Sequence, residues 1–66
     1  MNAKNILTKV YADLKEGGYN PVQQISGYLL SGDPTYITDY NGARALICSI
    51  ECEQLLCELV NSYLCN

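Results

Sequence analysis

Residues 18–37 carry the same punctuation twice: a glycine, then an Asn-Pro or Asp-Pro pair, then an apolar turn. The first unit is Gly18-Tyr19-Asn20-Pro21 and the second is Gly32-Asp33-Pro34. Glycine readily takes the left-handed conformation that ends a helix, while Asn or Asp ahead of proline supplies an N-cap and a pre-set first helical residue. Each unit therefore reads as one helix stopping and another starting. Gln23 lies three residues after Asn20, which predicts a reciprocal capping box. The Asn20 carboxamide would accept from the Gln23 N–H, and the Gln23 side chain would return to the Asn20 N–H.

On either side of this punctuation the apolar residues keep helical spacing. Ala3, Ile6, Leu7, Val10, Tyr11 and Leu14 recur every three or four positions, which predicts a helix over 3–16 with Lys4, Lys9, Asp13 and Lys15 mostly on its other side. Gly17 and Gly18 end it, and Lys15 suits the negative end of the helix dipole. A second helix over 21–30 offers Val22, Ile25, Tyr28 and Leu29 as its inner face, with Gly27 small enough to admit another backbone. Gly32 stops that helix. Asp33 and Pro34 start a short turn carrying Tyr36 and Ile37, and Asp39-Tyr40-Asn41-Gly42 forms a loop between the two halves of the chain.

The C-terminal half, 43–64, does not keep one phase at about 100° per residue. Leu46, Ile47 and Ile50 share one direction. Leu55, Leu56, Leu59, Val60 and Tyr63 share another, turned by roughly 150°. One straight helix would expose one of these groups, so the pattern predicts a short helix over 43–48 and a second over 50–64, broken near Ser49. Ser49 is the expected N-cap, with Glu51 and Glu53 in the first turn. A continuous helix with an oligomer interface covering both stripes is the competing explanation.

With 66 residues, the chain is a single domain that buries only about 60% of the surface its unfolded form exposes. It has no Trp, no Phe and six Tyr, so the core must be built from Leu, Ile and Val. Tyrosines, with an apolar body and a polar tip, then lie at boundaries with water or a partner chain. The expected fold is all-α, a compact bundle of four to five short helices over 1–66, and a homodimer would make good the shortage of core. A net charge of −3 gives no basic face for phosphates, which excludes nucleic acid as a partner. The apolar runs are far shorter than the ~20 residues that span a bilayer, and Lys4, Lys9 and Asp13 interrupt any secretory leader. Membrane insertion is not expected, and the protein is expected in the cytoplasm.

No catalytic constellation is present. Nucleophilic catalysis needs an activating base, and the chain has no His. Glu51, Glu53 and Glu58 read as a solvated acidic face, and Gly32-Asp33-Pro34 lacks the glycine and lysine pattern of a phosphate-cradling loop. Cys48, Cys52, Cys57 and Cys65 form no C-x-x-C unit, and their helical phases diverge, which leaves free thiols as the expected state. The alternative is a thiol-based redox sensor or a metal-binding helical protein. An interaction protein without cofactor remains. Tyr19, Tyr28 and Tyr36 are candidate anchors, and Asn20, Gln24 and Asp33, with Gln23, are candidate polar contacts, although the same residues would serve equally as caps and core edge.

The chain resembles the IreB family of small proteins from Gram-positive bacteria. The residues that carry the resemblance are Val10-Tyr11, Gly18 to Pro21, Gln24-Ile25, Gly27 to Leu30, Ser31 to Pro34, Tyr36-Ile37, Ala43-Arg44, Leu46-Ile47, Glu58 to Val60 and Tyr63-Leu64. The resemblance implies a small helical homodimer that regulates from the cytosol. It also implies a phosphorylation target of a transmembrane Ser/Thr kinase with extracellular PASTA modules, or a contact with a downstream regulatory protein, in the setting of cell-envelope stress and resistance to cell-wall antibiotics. Relatives carry their phosphorylated threonines ahead of the first helix, whereas Thr8, Thr35 and Thr38 lie within or after it, so no phosphosite is carried over. The C-terminal helices of the family are rich in Arg, Lys and Glu. Here Cys48, Ser49, Cys52, Gln54 and Cys57 stand in that region, so charged contacts made there by relatives are expected to be replaced.

Overall fold

The computed structural model describes residues 1–65. Among these, the chain forms four α-helices and one 3-10 turn: α1 (Ala3–Glu16), α2 (Pro21–Ser31), the turn Pro34–Tyr36, α3 (Ala43–Ile47) and α4 (Cys52–Leu64). Each boundary has a local cause. Asn2 caps α1 by accepting from the Asn5 N–H at 2.8 Å. At its other end Gly18 takes φ +85°. The Gly18 N–H reaches the Lys15 carbonyl at 3.1 Å and the Tyr19 N–H the Leu14 carbonyl at 2.9 Å, the paired bonds of a Schellman motif. Asn20 caps α2 with Pro21 at its first turn, as expected, through a 3.1 Å bond from the Gln23 N–H. Only that half of the predicted capping box is made.

The predicted break in the C-terminal half is present, with α3 ending at Ile47 and α4 beginning at Cys52. The expected cap moves. Ser49 instead donates its hydroxyl to the Leu46 carbonyl at 2.6 Å, closing the end of α3. Glu51 becomes the N-cap, and its N–H donates to the Gln54 side-chain oxygen at 3.3 Å. A hydroxyl two residues earlier cannot reach the free N–H groups of a helix that starts at Cys52.

The core is built around α1. Ile6, Leu7, Val10 and Leu14 meet Tyr28 from α2, Ile37 from the connecting loop, Ala43 and Ile47 from α3, and Leu55 from α4. Helix α1 packs against α2, α3 and α4, while α2 packs mainly on α1 and the 3-10 turn. Two side chains pin the loop that delivers Ile37. Gln24 donates to the Thr38 hydroxyl at 2.9 Å and accepts from the Thr38 N–H at 2.8 Å. Arg44 Nε donates to the Ile37 carbonyl at 2.9 Å.

Three expectations about facing are corrected. Val22, assigned to the inner face of α2, is 64% exposed, because Pro21 and Tyr28 turn inward instead. Asp13, assigned to the polar side of α1, is only 5% exposed, and its carboxylate pairs with Lys9 Nζ at 2.9 and 3.1 Å. Gly27 admits no backbone. A Cβ at that position would lie 2.5 Å from the Tyr36 ring, so the glycine makes room for an aromatic side chain.

Candidate interaction surfaces

The polar residues expected to contact a partner are mostly engaged within the chain. Asn20 caps α2, and Gln24 clamps Thr38. Asp33 caps the 3-10 turn, accepting from the Thr35 N–H at 3.0 Å and the Thr35 hydroxyl at 2.7 Å. Those two bonds, the backbone one foremost, with a smaller contribution from the positive charge of Arg44, hold the Asp33 carboxyl below the usual carboxylate range. These bonds shape the segment from Tyr19 to Tyr36.

The tyrosines divide. Tyr28 is 6% exposed and belongs to the core, so it is no surface anchor, contrary to expectation. Tyr19 remains exposed and meets Tyr40 edge-on with ring centroids 6.2 Å apart. Tyr36 is 51% exposed, with its inner edge over Gly27 and its outer face open. An exposed aromatic pair and a half-open ring are suited to rigid, amphipathic contacts.

A second surface is larger and more apolar. Leu56, Leu59, Val60, Tyr63 and Leu64 of α4 are all exposed, with Val60 at 54% and Leu64 at 71%. Leu56, Val60 and Leu64 line an open groove of about 370 Å³ that also borders Cys57 and Cys65. A tighter apolar groove of about 220 Å³ lies where α1, α2 and α4 meet, lined by Leu7, Tyr11, Val22, Ile25, Leu29 and Leu59. The sequence signal for this surface is the second apolar stripe of the C-terminal half. Helix α4 gives the core Leu55, with Cys52 partly buried beside it, and Leu56, Leu59, Val60 and Tyr63 of that stripe face outward. Contiguous apolar patches of this kind mark sites of protein contact.

All four cysteines of the described residues are free, with Cys52 half-buried and the others exposed. Among the described residues, no three of Cys, Asp and Glu stand together as a metal ion would require. No helix there is long and apolar enough to cross a membrane.

A model of the family described as IreB regulatory phosphoprotein matches residues 1–65. The chain belongs to the IreB family. The match takes in all four helices and both surfaces, and the family is one of regulatory phosphoproteins and not of enzymes. An IreB-like regulatory role agrees with a fold whose distinctive surface is apolar and open.

Proposed function

We propose that this IreB-family protein is a dimeric regulatory module of the cytoplasm. It acts by protein contact in Ser/Thr kinase signalling linked to cell-envelope stress and resistance to cell-wall antibiotics, and it performs no catalysis. The observation that carries the reading is the family match over nearly the whole chain, joined to an outer face of α4 that the monomer leaves uncovered. A second copy is the occupant that α4 and the neighbouring groove would take. A 66-residue chain gains from dimerisation the apolar burial it cannot complete alone. The rings of Tyr19 and Tyr36, outside that face, would then stay open to a kinase or a downstream regulatory protein.

Light scattering in the presence and absence of reductant tests the assembly. A dimer of twice 7.3 kDa that persists in reductant supports it. A monomer in reductant, with dimers only in air, rejects the apolar interface in favour of intermolecular disulfides. Incubation with the catalytic domain of a PASTA-type kinase and ATP, followed by mass analysis, tests the signalling role. Absence of both phosphate incorporation and complex formation would reject it.

A further inference from the structure

Tyr28 contributes the one aromatic ring of the core. It opens on a cleft of about 440 Å³ beside the α3–α4 turn, which Cys48, Glu51, Cys52 and Gln54 also line. Both cysteines border the same cleft as the Tyr28 ring. Burial first, and then the two thiols, push the ionisation of this hydroxyl well above the ordinary phenol range. Cys48 and Cys52 therefore share one cleft, with only Ser49, Ile50 and Glu51 between them in the chain. These three residues belong to neither helix. Cys48 is exposed and Cys52 half-buried, so one thiol meets reagents while the other is sheltered beside it. Cys57 and Cys65 border the α4 groove instead.

We propose that Cys48 and Cys52 form a reversible intramolecular disulfide that closes the α3–α4 turn over Tyr28, with a low-molecular-weight disulfide as the oxidant. The Cys48 thiolate attacks one sulfur of the external disulfide, expelling a thiolate and leaving a mixed disulfide on Cys48. The Cys52 thiolate then attacks the Cys48 sulfur and expels the second thiolate. The two protons given up by the cysteines end on the two released thiols. One external disulfide is thereby reduced, and two cysteine thiols are oxidised to one bond. The bond requires the Cα atoms to sit about 4.4–6.8 Å apart, a separation that a non-helical turn can reach by local adjustment. The closed turn fixes the direction in which α4 leaves α3, and hence the placement of the outer α4 face. The inference stands on the fold and is independent of the kinase reading.

The test equilibrates the reduced protein with mixtures of oxidised and reduced glutathione, quenches with acid, alkylates and maps the products. Cleavage after Arg44, Glu51, Glu53 and Glu58 puts each cysteine in its own peptide. The expected product is peptide 45–51 joined to peptide 52–53. It should form with an equilibrium constant about ten-fold or more above that of the urea-unfolded chain, because the fold pre-positions the thiols. The near-ultraviolet tyrosine spectrum should change on closure in the native protein and not in Tyr28→Phe. In Cys48→Ser, Cys52 should yield only a glutathione adduct. Separate adducts on Cys48 and Cys52, links drawn from Cys57 or Cys65, or equal closure in urea would each overturn the proposal.

Discussion

At the scale of single residues, Gly27 and Lys9 show how much a local contact decides. Alanine in place of a helical glycine ordinarily stabilises by about 1 kcal/mol. In Gly27→Ala the new Cβ meets the Tyr36 ring at 2.5 Å, so the ring must leave its seat. We expect Gly27→Ala to destabilise by about 1 kcal/mol in the native background and to stabilise by up to about 1 kcal/mol once Tyr36→Ala has removed the ring. Urea denaturation of the four proteins of the cycle measures both, and additive effects would refute the contact. Lys9 poses a different problem, since its own side chain is half exposed while the Asp13 carboxylate it pairs with is buried. Lys9→Met strands that carboxylate and should cost about 1–3 kcal/mol. The double variant Lys9→Met with Asp13→Asn should recover most of the loss, as read by thermal unfolding. Neither feature is visible in helical spacing alone. Spacing assigns Asp13 to the polar side because it counts positions. It cannot see how many neighbouring elements pack on α1 in the assembled fold.

At the scale of elements, the punctuation was the most legible part of the chain. Gly18, Asn20-Pro21, Gly32 and Asp33-Pro34 act locally, within four residues, so the boundaries they predict agree with those observed. The break after α3 was legible for another reason: two apolar stripes of different phase cannot both face one core. Its exact start was not, because Ser49 and Glu51 both make acceptable caps and the path of the turn chooses between them. The 3-10 turn carries a pH signature. The Asp33 carboxyl is held below its ordinary range in the folded state, chiefly by the Thr35 N–H. Its contribution to stability is therefore present above the unfolded value near pH 4 and is lost as pH falls through the folded value. Asp33→Asn keeps the cap and cannot titrate. The difference between native and variant protein in urea midpoint should be constant from about pH 5 to 7 and should shrink or reverse below about pH 4. A constant difference down to pH 2.5 would show that the cap bonds do not favour the ionised form.

At the scale of the whole molecule, the decisive asymmetry is between α1, which spends nearly its entire apolar stripe on the core, and α4, which spends little beyond Leu55. That asymmetry makes α4 separable from the fold by mutation. Val60→Glu alters an exposed position and should change monomer stability by no more than about 0.5 kcal/mol, yet it places a charge on the proposed dimer face. Sedimentation or light scattering should report a monomer at concentrations where the native protein is a dimer, with circular dichroism unchanged. Retention of the dimer would move the interface elsewhere. The sequence pattern predicted a break that would spare both apolar stripes from exposure; the break is present, yet Leu56, Leu59, Val60 and Tyr63 remain exposed. Which of them turned outward depended on the crossing of α1 and α4, a property of the assembled molecule.

The central place of α1 also bears on the order of events during synthesis. Val10 and Leu14 leave the ribosome early, yet Ile47 and Leu55, which complete their surroundings, emerge among the later residues. Until then α1 and α2 form at most a pair with one open flank. The core is therefore complete only once Leu55 has been added, and a chain stalled before it exposes the seam that the finished molecule keeps most thoroughly dry.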